Sequence, residues 1–115
     1  MTDRELLEAA AKAAGGRVSF DYSPDGYPWL QAVVDGKPQP YPVRWNPLTD
    51  DGDALRLAVK LRLTLNCSYD DVAICGQEFT QKEVFIERNG EDPLAATRRA
   101  VVRAAAELGK EMKDD

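Results

Sequence analysis

Residues 44–61 read Arg44-Trp45-Asn46-Pro47-Leu48-Thr49-Asp50-Asp51-Gly52-Asp53-Ala54-Leu55-Arg56-Leu57-Ala58-Val59-Lys60-Leu61. The stretch predicts the end of a strand, an acidic turn and an amphipathic helix from about Asp50 to Leu61. Leu55, Ala58 and Val59 recur at helical spacing, so we expect them to form the buried face of this helix. Either Thr49 or Asp50 is expected to cap its first N–H groups.

The N-terminal segment predicts another helix, over residues 2–14. Thr2 and Glu5 have the spacing of a capping box, in which each side chain bonds the backbone N–H of the other. Gly15-Gly16 can end the helix, since glycine readily adopts the left-handed conformation found after helix C-termini.

Between these two helices, alternating apolar and polar residues predict three short strands. They cover residues 17–22, 29–34 and 41–45. Ser23-Pro24-Asp25-Gly26 and Asp35-Gly36 are typical turn sequences and separate the strands. Pro38, Pro40 and Pro42 have no N–H to donate, so the third strand is expected at a sheet edge.

Three further strands and a helix are predicted after the central helix. The strands cover residues 63–69, 72–75 and 83–87, and residues 69–71 are expected to form a hairpin. Asp92-Pro93 has the residues of a helix start. The predicted buried stripe of this last helix contains Leu94, Val101, Ala104, Ala105, Leu108 and Met112. A short charged tail is expected from about residue 110.

The predicted order is α-βββ-α-βββ-α, in one domain over residues 1–115. Short connections favour antiparallel neighbours, and helices before, between and after the strands can cover both faces of a sheet. The expected class is therefore α+β, with a mainly antiparallel sheet covered by helices on both faces, an αβα sandwich.

Composition narrows the possible functions. A net charge of −5 argues against nucleic acid as the partner, since a phosphate backbone is bound by basic surfaces. The chain has no histidine, which removes the usual general base and the commonest metal ligand. We therefore expect no enzyme and no cofactor. No run of apolar residues is long enough to predict a membrane-spanning helix. The two cysteines, Cys67 and Cys75, are expected to be free thiols that are buried or half-buried.

The acidic turn Asp50-Asp51-Gly52-Asp53 could bind a divalent cation and support metal-dependent hydrolysis. Its spacing does not match an EF-hand loop. Capping of the helix and favourable interaction with its positive N-terminus explain the same carboxylates, and we predict this role.

Five residues are candidates for a binding site: Trp29, Trp45, Asn46, Arg98 and Arg99. Trp29 lies in a hairpin region rich in aromatic residues and proline, and aromatic residues are enriched at protein interfaces. Trp45 and Asn46 stand where the strand meets the central helix, so they form either a recognition pocket or a buried junction. Arg98 and Arg99 could hold a phosphate or an acidic partner, although such arginines usually form a solvated helix face.

Two motifs are similar to the phage αβα-sandwich domain, a family of small tailed-phage proteins. One is residues 44–61; the other is residues 92–109, which read DPLAATRRAVVRAAAELG. The resemblance implies phage or prophage origin, an αβα sandwich and no known activity.

We therefore expect a phage accessory protein in the host cytoplasm that binds a host or phage protein without catalysis. An inhibitor of bacterial defence is the alternative, acting on a CRISPR effector or sequestering a nucleotide signal with Arg98 and Arg99. The sequence leaves the oligomeric state open.

Overall fold

The computed structural model describes residues 1–67, 72–77 and 84–112. Its helices are α1 (Asp3–Ala13), α2 (Asp51–Leu61) and α3 (Pro93–Glu111). Its strands are β1 (Gly16–Ser19), β2 (Trp29–Val34), β3 (Lys37–Pro38), β4 (Val43–Arg44), β5 (Leu63–Asn66), β6 (Val72–Gln77) and β7 (Val84–Arg88). The predicted hairpin at residues 69–71 lies outside the described residues.

The helix starts follow the predicted capping chemistry. Thr2 and Glu5 form a complete capping box at α1. Asp50, not Thr49, caps α2, because its carboxylate accepts the N–H of Asp53 at 2.8 Å. Asp92 accepts the N–H of Ala95 at 3.0 Å. Each cap satisfies a donor that has no partner within its helix.

The first sheet is built around β2, which pairs antiparallel with β1, β3 and β4. Asp35 and Gly36 both have positive φ angles, 52° and 76°, in the two-residue turn that joins β2 to β3. This conformation matches the right-handed twist of the flanking strands. The turn predicted from Asp35-Gly36 is confirmed.

The predicted third strand, residues 41–45, is shorter in the structure, and an additional short strand, β3, precedes it. Only Val43 and Arg44 pair with β2, while β3 pairs at Lys37 and Pro38. Between these two short strands, Tyr41 has φ +66° and is 89% exposed. Pro40 and Pro42 cannot donate to a ladder, so the chain leaves the sheet between the two pairings.

The second sheet has the order β5-β6-β7, with antiparallel pairs throughout. Ala73 and Cys75 are buried on the face that α3 contacts. Thr64, Ile86 and Arg88 lie on the opposite face and are exposed. The class is α+β with antiparallel sheets, as predicted. The partition of the strands into two sheets, with four and three strands, was not predicted.

Helices α1 and α3 pack tightly against each other. Ala10 and Ala11 of α1 and Ala105 and Ala106 of α3 are at most 1% exposed. A Cβ atom at Gly109 would overlap the carbonyl oxygen of Ala9. Small side chains therefore set the separation of the two helices.

We expect Gly109→Ala to destabilise the protein by roughly 3 kcal/mol or more, because the added methyl group meets backbone that cannot rotate away. Gly52→Ala is the matched control. There the added Cβ meets mainly the flexible end of Arg56, at 3.2 Å. Urea unfolding of both variants measures the difference. Equal stability of the two variants would contradict this packing.

The buried face of α2 matches the prediction at Ala58 and differs from it at Leu55 and Val59. Leu55 and Val59 are 63% and 69% exposed, and the buried residues are Asp53, Ala54, Leu57 and Ala58. The physical reason is Asp53, whose carboxylate accepts the N–H of Asn46 at 2.9 Å. This bond turns the Asp53 side of the helix inward and leaves the Leu55 side in solvent.

The buried stripe of α3 was predicted correctly at Val101, Ala104 and Ala105 but not at its ends. Leu94 and Met112 are 60% and 45% exposed, and Leu108 is half-buried. Alanines and Gly109 take most of the buried positions because α3 contacts both other helices and the second sheet. The helix continues to Glu111, beyond the predicted start of the tail, and residues 113–115 lie outside the described residues.

Candidate functional site

Trp29 lies on the outer face of the first sheet. Val18 and Leu30 form a cross-strand pair on the inner face and pack against the core. Side chains alternate along a strand, so Trp29 points the other way. Arg44 is its cross-strand neighbour on β4 and shares this outer face.

We call Tyr22, Tyr27, Trp29 and Arg44 the aromatic patch. The rings of Tyr22 and Trp29 are 4.7 Å apart between centroids and inclined by 43°. The guanidinium carbon of Arg44 lies 3.8 Å from the Tyr27 ring centroid and 5.9 Å from that of Trp29. Such cation–π contacts favour a fixed arrangement of Tyr27 and Trp29 around one arginine, and Tyr22 is joined to this group through Trp29.

The turn between β1 and β2 fixes Trp29 in place. The indole Nε1–H donates to Ser23 Oγ at 3.1 Å. Ser23 in turn donates to Asp25 Oδ1 at 2.6 Å, and the same oxygen accepts the N–H of Tyr27 at 3.0 Å. Asp25 also lies 3.9 Å from Arg44, so one carboxylate contacts three groups that support the patch.

These contacts perturb the acid–base equilibrium of Asp25. The Ser23 hydroxyl is the main cause that holds the pKa of the Asp25 carboxyl below its ordinary value, followed by the Tyr27 N–H and, more weakly, the charge of Arg44. All three favour the ionised form.

A pH titration tests this arrangement. A lowered pKa means that the contribution of Asp25 to the fold is present above its unfolded pKa and is lost as pH falls through the folded pKa. We expect the Trp29 indole N–H resonance to shift with the same midpoint as the Asp25 carboxyl in NMR titrations. In Asp25→Asn that acid transition should disappear. An indole signal that does not change with Asp25 would contradict the coupling.

Trp45 belongs to the hydrophobic core and is 6% exposed. Its neighbour Asn46 serves the loop before α2. Its backbone N–H donates to Asp53, its side-chain oxygen accepts the N–H of Leu48 at 3.1 Å, and its carbonyl accepts the N–H of Asp50 at 2.9 Å. Of the two interpretations left open by the sequence, the burial of Trp45 and the bonds of Asn46 support the buried junction.

The carboxylates of the acidic turn all bond within the protein. Asp50 caps α2, Asp51 accepts from Arg98 at 2.6 Å, and Asp53 accepts from Arg56 at 2.7 Å. Among the described residues, no group of three or more His, Cys, Asp or Glu side chains could hold a metal ion. The capping of α2 and the two ion pairs with arginine therefore explain the carboxylates of the turn.

Arg98 and Arg99 do not share a site. Arg98 has a side chain only 15% exposed and donates to the carbonyl of Leu48 at 2.8 Å as well as to Asp51. Arg99 pairs with Asp3 at 3.0 Å and lies 3.8 Å from Glu87. The solvated face predicted for these arginines is wrong at Arg98, which joins α3 to the start of α2.

Arg99 does line a pocket of about 410 Å³ beside β7, together with Arg103, Lys110 and Phe85. Glu87 accepts from Arg103 at 2.7 Å, so its carboxylate offsets part of the positive charge of the pocket. Arg103 also lies over the Phe85 ring, at 4.9 Å from its centroid. These arginines are therefore held by the protein itself.

The cysteines are both free, as predicted. The predicted burial is confirmed at Cys75 and is wrong at Cys67, which is exposed. Burial is the main cause that raises the pKa of the Cys75 thiol to about 11. The thiolate is the reactive form of cysteine. Cys75 is therefore unreactive for two reasons: reagents cannot reach it, and its thiol remains protonated.

We expect a disulfide reagent at pH 8 to modify one thiol per native chain and two per unfolded chain. At that pH only about a thousandth of Cys75 is ionised, as its raised pKa requires. Cys67→Ser should remove the fast phase. Rapid modification of two thiols in the folded protein would contradict the buried position of Cys75.

Arg44, Ser23 and Asp25 were not predicted as site residues. Ser23 and Asp25 were correctly assigned to a turn, but their bonds to Trp29 and Tyr27 depend on how the turn folds over the sheet. Arg44 joins the patch through its register with Trp29. The only sequence signal was the position of Arg44 at the end of an alternating segment.

A comparison with protein-family models finds no family that matches the chain, and comparisons with curated proteins and with solved structures find no match either. Within the described residues, no helix has the length and apolar character needed to cross a membrane.

Proposed function

We propose that this chain is a non-catalytic binding protein that engages a partner protein through the aromatic patch. The observation that carries the proposal is Trp29, an aromatic side chain on the outer face of a sheet that is already fixed by hydrogen bonds and ring contacts. Tryptophan, tyrosine and arginine are the residues that most often dominate binding energy at protein interfaces.

The side chains of the patch are already ordered in the free protein, which lowers the entropic cost of binding. Immobilising a flexible side chain on binding costs about 0.5–1.5 kcal/mol. Trp29 is held by Ser23 and flanked by Tyr22, and Arg44 is held between Tyr27 and Asp25. Much of this cost is therefore already met in the free protein.

The chemistry of the patch favours a protein partner with an apolar centre. Three rings supply the contact surface, and Asp25 offsets the charge of Arg44 at 3.9 Å. Tyr22 is 59% exposed and extends the apolar surface toward the turn. A polynucleotide would need a surplus of positive charge here, and the chain carries a net charge of −5.

The identity of the partner rests on the resemblance to the phage αβα-sandwich domain. On that basis we propose a host or phage protein in the cytoplasm of an infected bacterium. Inhibition of a defence system is the narrower form of the same proposal, with a defence component as the host protein. Sequestration of a nucleotide by Arg98 and Arg99 together has less support, because the two arginines bond different elements.

Affinity capture from a lysate of the bacterial host tests the proposal. We expect Trp29→Ala to weaken binding of the captured protein by about 30-fold or more, the loss expected for a central aromatic contact. Tyr41→Ala is the matched control, since Tyr41 is exposed but does not contact the patch residues in any described ring pair. Mass spectrometry identifies the partner, and calorimetry with the purified pair measures the affinity.

Trp45→Ala shows how a variant that loses binding through unfolding behaves, and it is compared with Trp29→Ala. Removing the buried Trp45 ring should cost about 3–5 kcal/mol of stability, whereas Trp29→Ala should leave a cooperative unfolding transition. Equal capture by wild type and Trp29→Ala would overturn the assignment of the patch, and capture of no protein by the wild type would overturn the binding function.

A further inference from the structure

The guanidinium of Arg44 is held in position although it donates no hydrogen bond within the described part of the chain. Its central carbon lies 3.8 Å from the Tyr27 ring centroid, so the group rests on the face of the ring. Asp25 approaches it at 3.9 Å, which is an ion pair but is too long for a hydrogen bond. The Arg44 side chain is 53% exposed, so its N–H groups are available to another molecule.

Arg103 shows how an arginine of this kind is completed inside the chain. It lies over the Phe85 ring, at 4.9 Å from the centroid, and also donates to Glu87 at 2.7 Å. Arg44 has the ring, but no described carboxylate lies at hydrogen-bond distance from it. A planar guanidinium can donate two parallel N–H bonds to the two oxygens of a carboxylate. A carboxylate from another molecule would therefore make the contact that Glu87 makes with Arg103.

The charge beside Arg44 favours an anion with a single charge. Asp25 uses its Oδ1 atom to accept from Ser23 and Tyr27, and its Oδ2 atom is the one that lies near Arg44. This carboxylate repels a second anion, and the repulsion increases with the charge of that anion. A phosphate monoester carries about −1.5 to −2 charges at neutral pH, whereas a carboxylate carries one. Arg44 therefore suits a carboxylate better than a phosphate.

The position of Arg44 indicates that the carboxylate belongs to a side chain. Proteins that capture the terminal carboxylate of a chain commonly hold it with a series of backbone N–H groups. On the outer face of the first sheet the donors come from a side chain instead, because the backbone groups of β2 and β4 bond to each other in the ladder. An aspartate or glutamate of the partner is the matching source.

We propose that the aromatic patch binds an acidic side chain of the partner protein together with an apolar side chain beside it. Trp29 and Arg44 are directly opposite in strand register, so their Cβ atoms are about 5 Å apart. The rings of Trp29 and Tyr22, 4.7 Å apart, contact the apolar side chain, and Arg44 binds the carboxylate. This inference rests on the proposed function, because it names what the same patch recognises.

NMR titration of the full chain with two blocked peptides tests the inference. The peptides are N-acetyl-Phe-Ala-Glu amide and its counterpart with Gln in place of Glu. Their first and third side chains point the same way in an extended segment. We expect the Glu peptide to shift the indole N–H of Trp29 and the Nε–H of Arg44, with a dissociation constant in the millimolar range. The Gln peptide should bind about tenfold more weakly, because it loses the charge-assisted hydrogen bonds.

Arg44→Lys separates the shape of the guanidinium from its charge. An ammonium group cannot donate two parallel bonds to a carboxylate, so this variant should bind the Glu peptide about fivefold or more weakly. Unchanged affinity for the Gln peptide shows that the rings are still in place. Arg17→Lys is the matched control, because Arg17 is exposed and lies on the same outer face through its register with Gln31. It should bind both peptides as the wild type does.

Equal affinity for the Glu and Gln peptides, or equal losses in Arg44→Lys and Arg17→Lys, would overturn the role of Arg44. Tighter binding of a phosphoserine peptide would overturn the choice of carboxylate, and tighter binding of N-acetylphenylalanine would overturn the side chain as its source. No shift at Trp29 with any peptide would overturn the whole inference. The proposed function fails by a different result, namely equal capture of the partner by wild type and Trp29→Ala.

Discussion

The close contact between α1 and α3 is the constraint on which the rest of the structure depends. Gly109 and a set of alanines let the backbones of the first and last helices approach without intervening side chains. α1 contacts β1 of the first sheet and α3 contacts the second sheet. The two sheets share no strand pair in the described residues, so this helix pair connects them. Dispersion forces in such a contact depend steeply on distance, so one added methyl group would weaken the packing of α1 on α3 and with it the connection between the two sheets.

A second set of bonds joins α2 to this frame. Asp53 holds the loop at Asn46, and Arg98 of α3 donates to both Leu48 and Asp51. Nearly every polar group of the acidic turn is thereby used within the protein. The acidic turn, for which the sequence predicted helix capping over metal binding, thus belongs to a structural junction. Its aspartates fix the orientation of α2 by bonding to the preceding loop and to α3, and the opposite side of the helix remains in solvent.

Local signals in the sequence were sufficient wherever structure depends on neighbouring residues. The capping box at Thr2, the turn at Asp35-Gly36 and the start of α3 at Asp92-Pro93 all involve interactions within a few residues, and the structure confirms them. The orientation of α2 was mispredicted because it depends on Asp53, a charged residue that spacing rules assign to solvent. Hydrophobicity favoured the larger Leu55, whereas the packing required alanines beside α3.

The candidate site was predictable only in part for the same reason. Trp29 could be selected because an aromatic hairpin is recognisable from residue types alone. Its supporting residues could not, since Arg44 reaches the patch through strand register and Ser23 through the path of a turn. Trp45 was indistinguishable from Trp29 by residue type, but Trp45 is buried and Trp29 is half-buried. Tertiary contacts decide which of two similar residues is available to a partner.

The small size of the aromatic patch bears on how tightly this protein can bind. One patch of three rings and an arginine is a small surface, and small interfaces give modest affinity unless the cost of ordering side chains is reduced. Ser23 already holds the indole of Trp29, and Tyr27 and Asp25 already hold Arg44. A partner that contacts these side chains would therefore order little of the patch on binding, and more of its contact energy would remain as affinity.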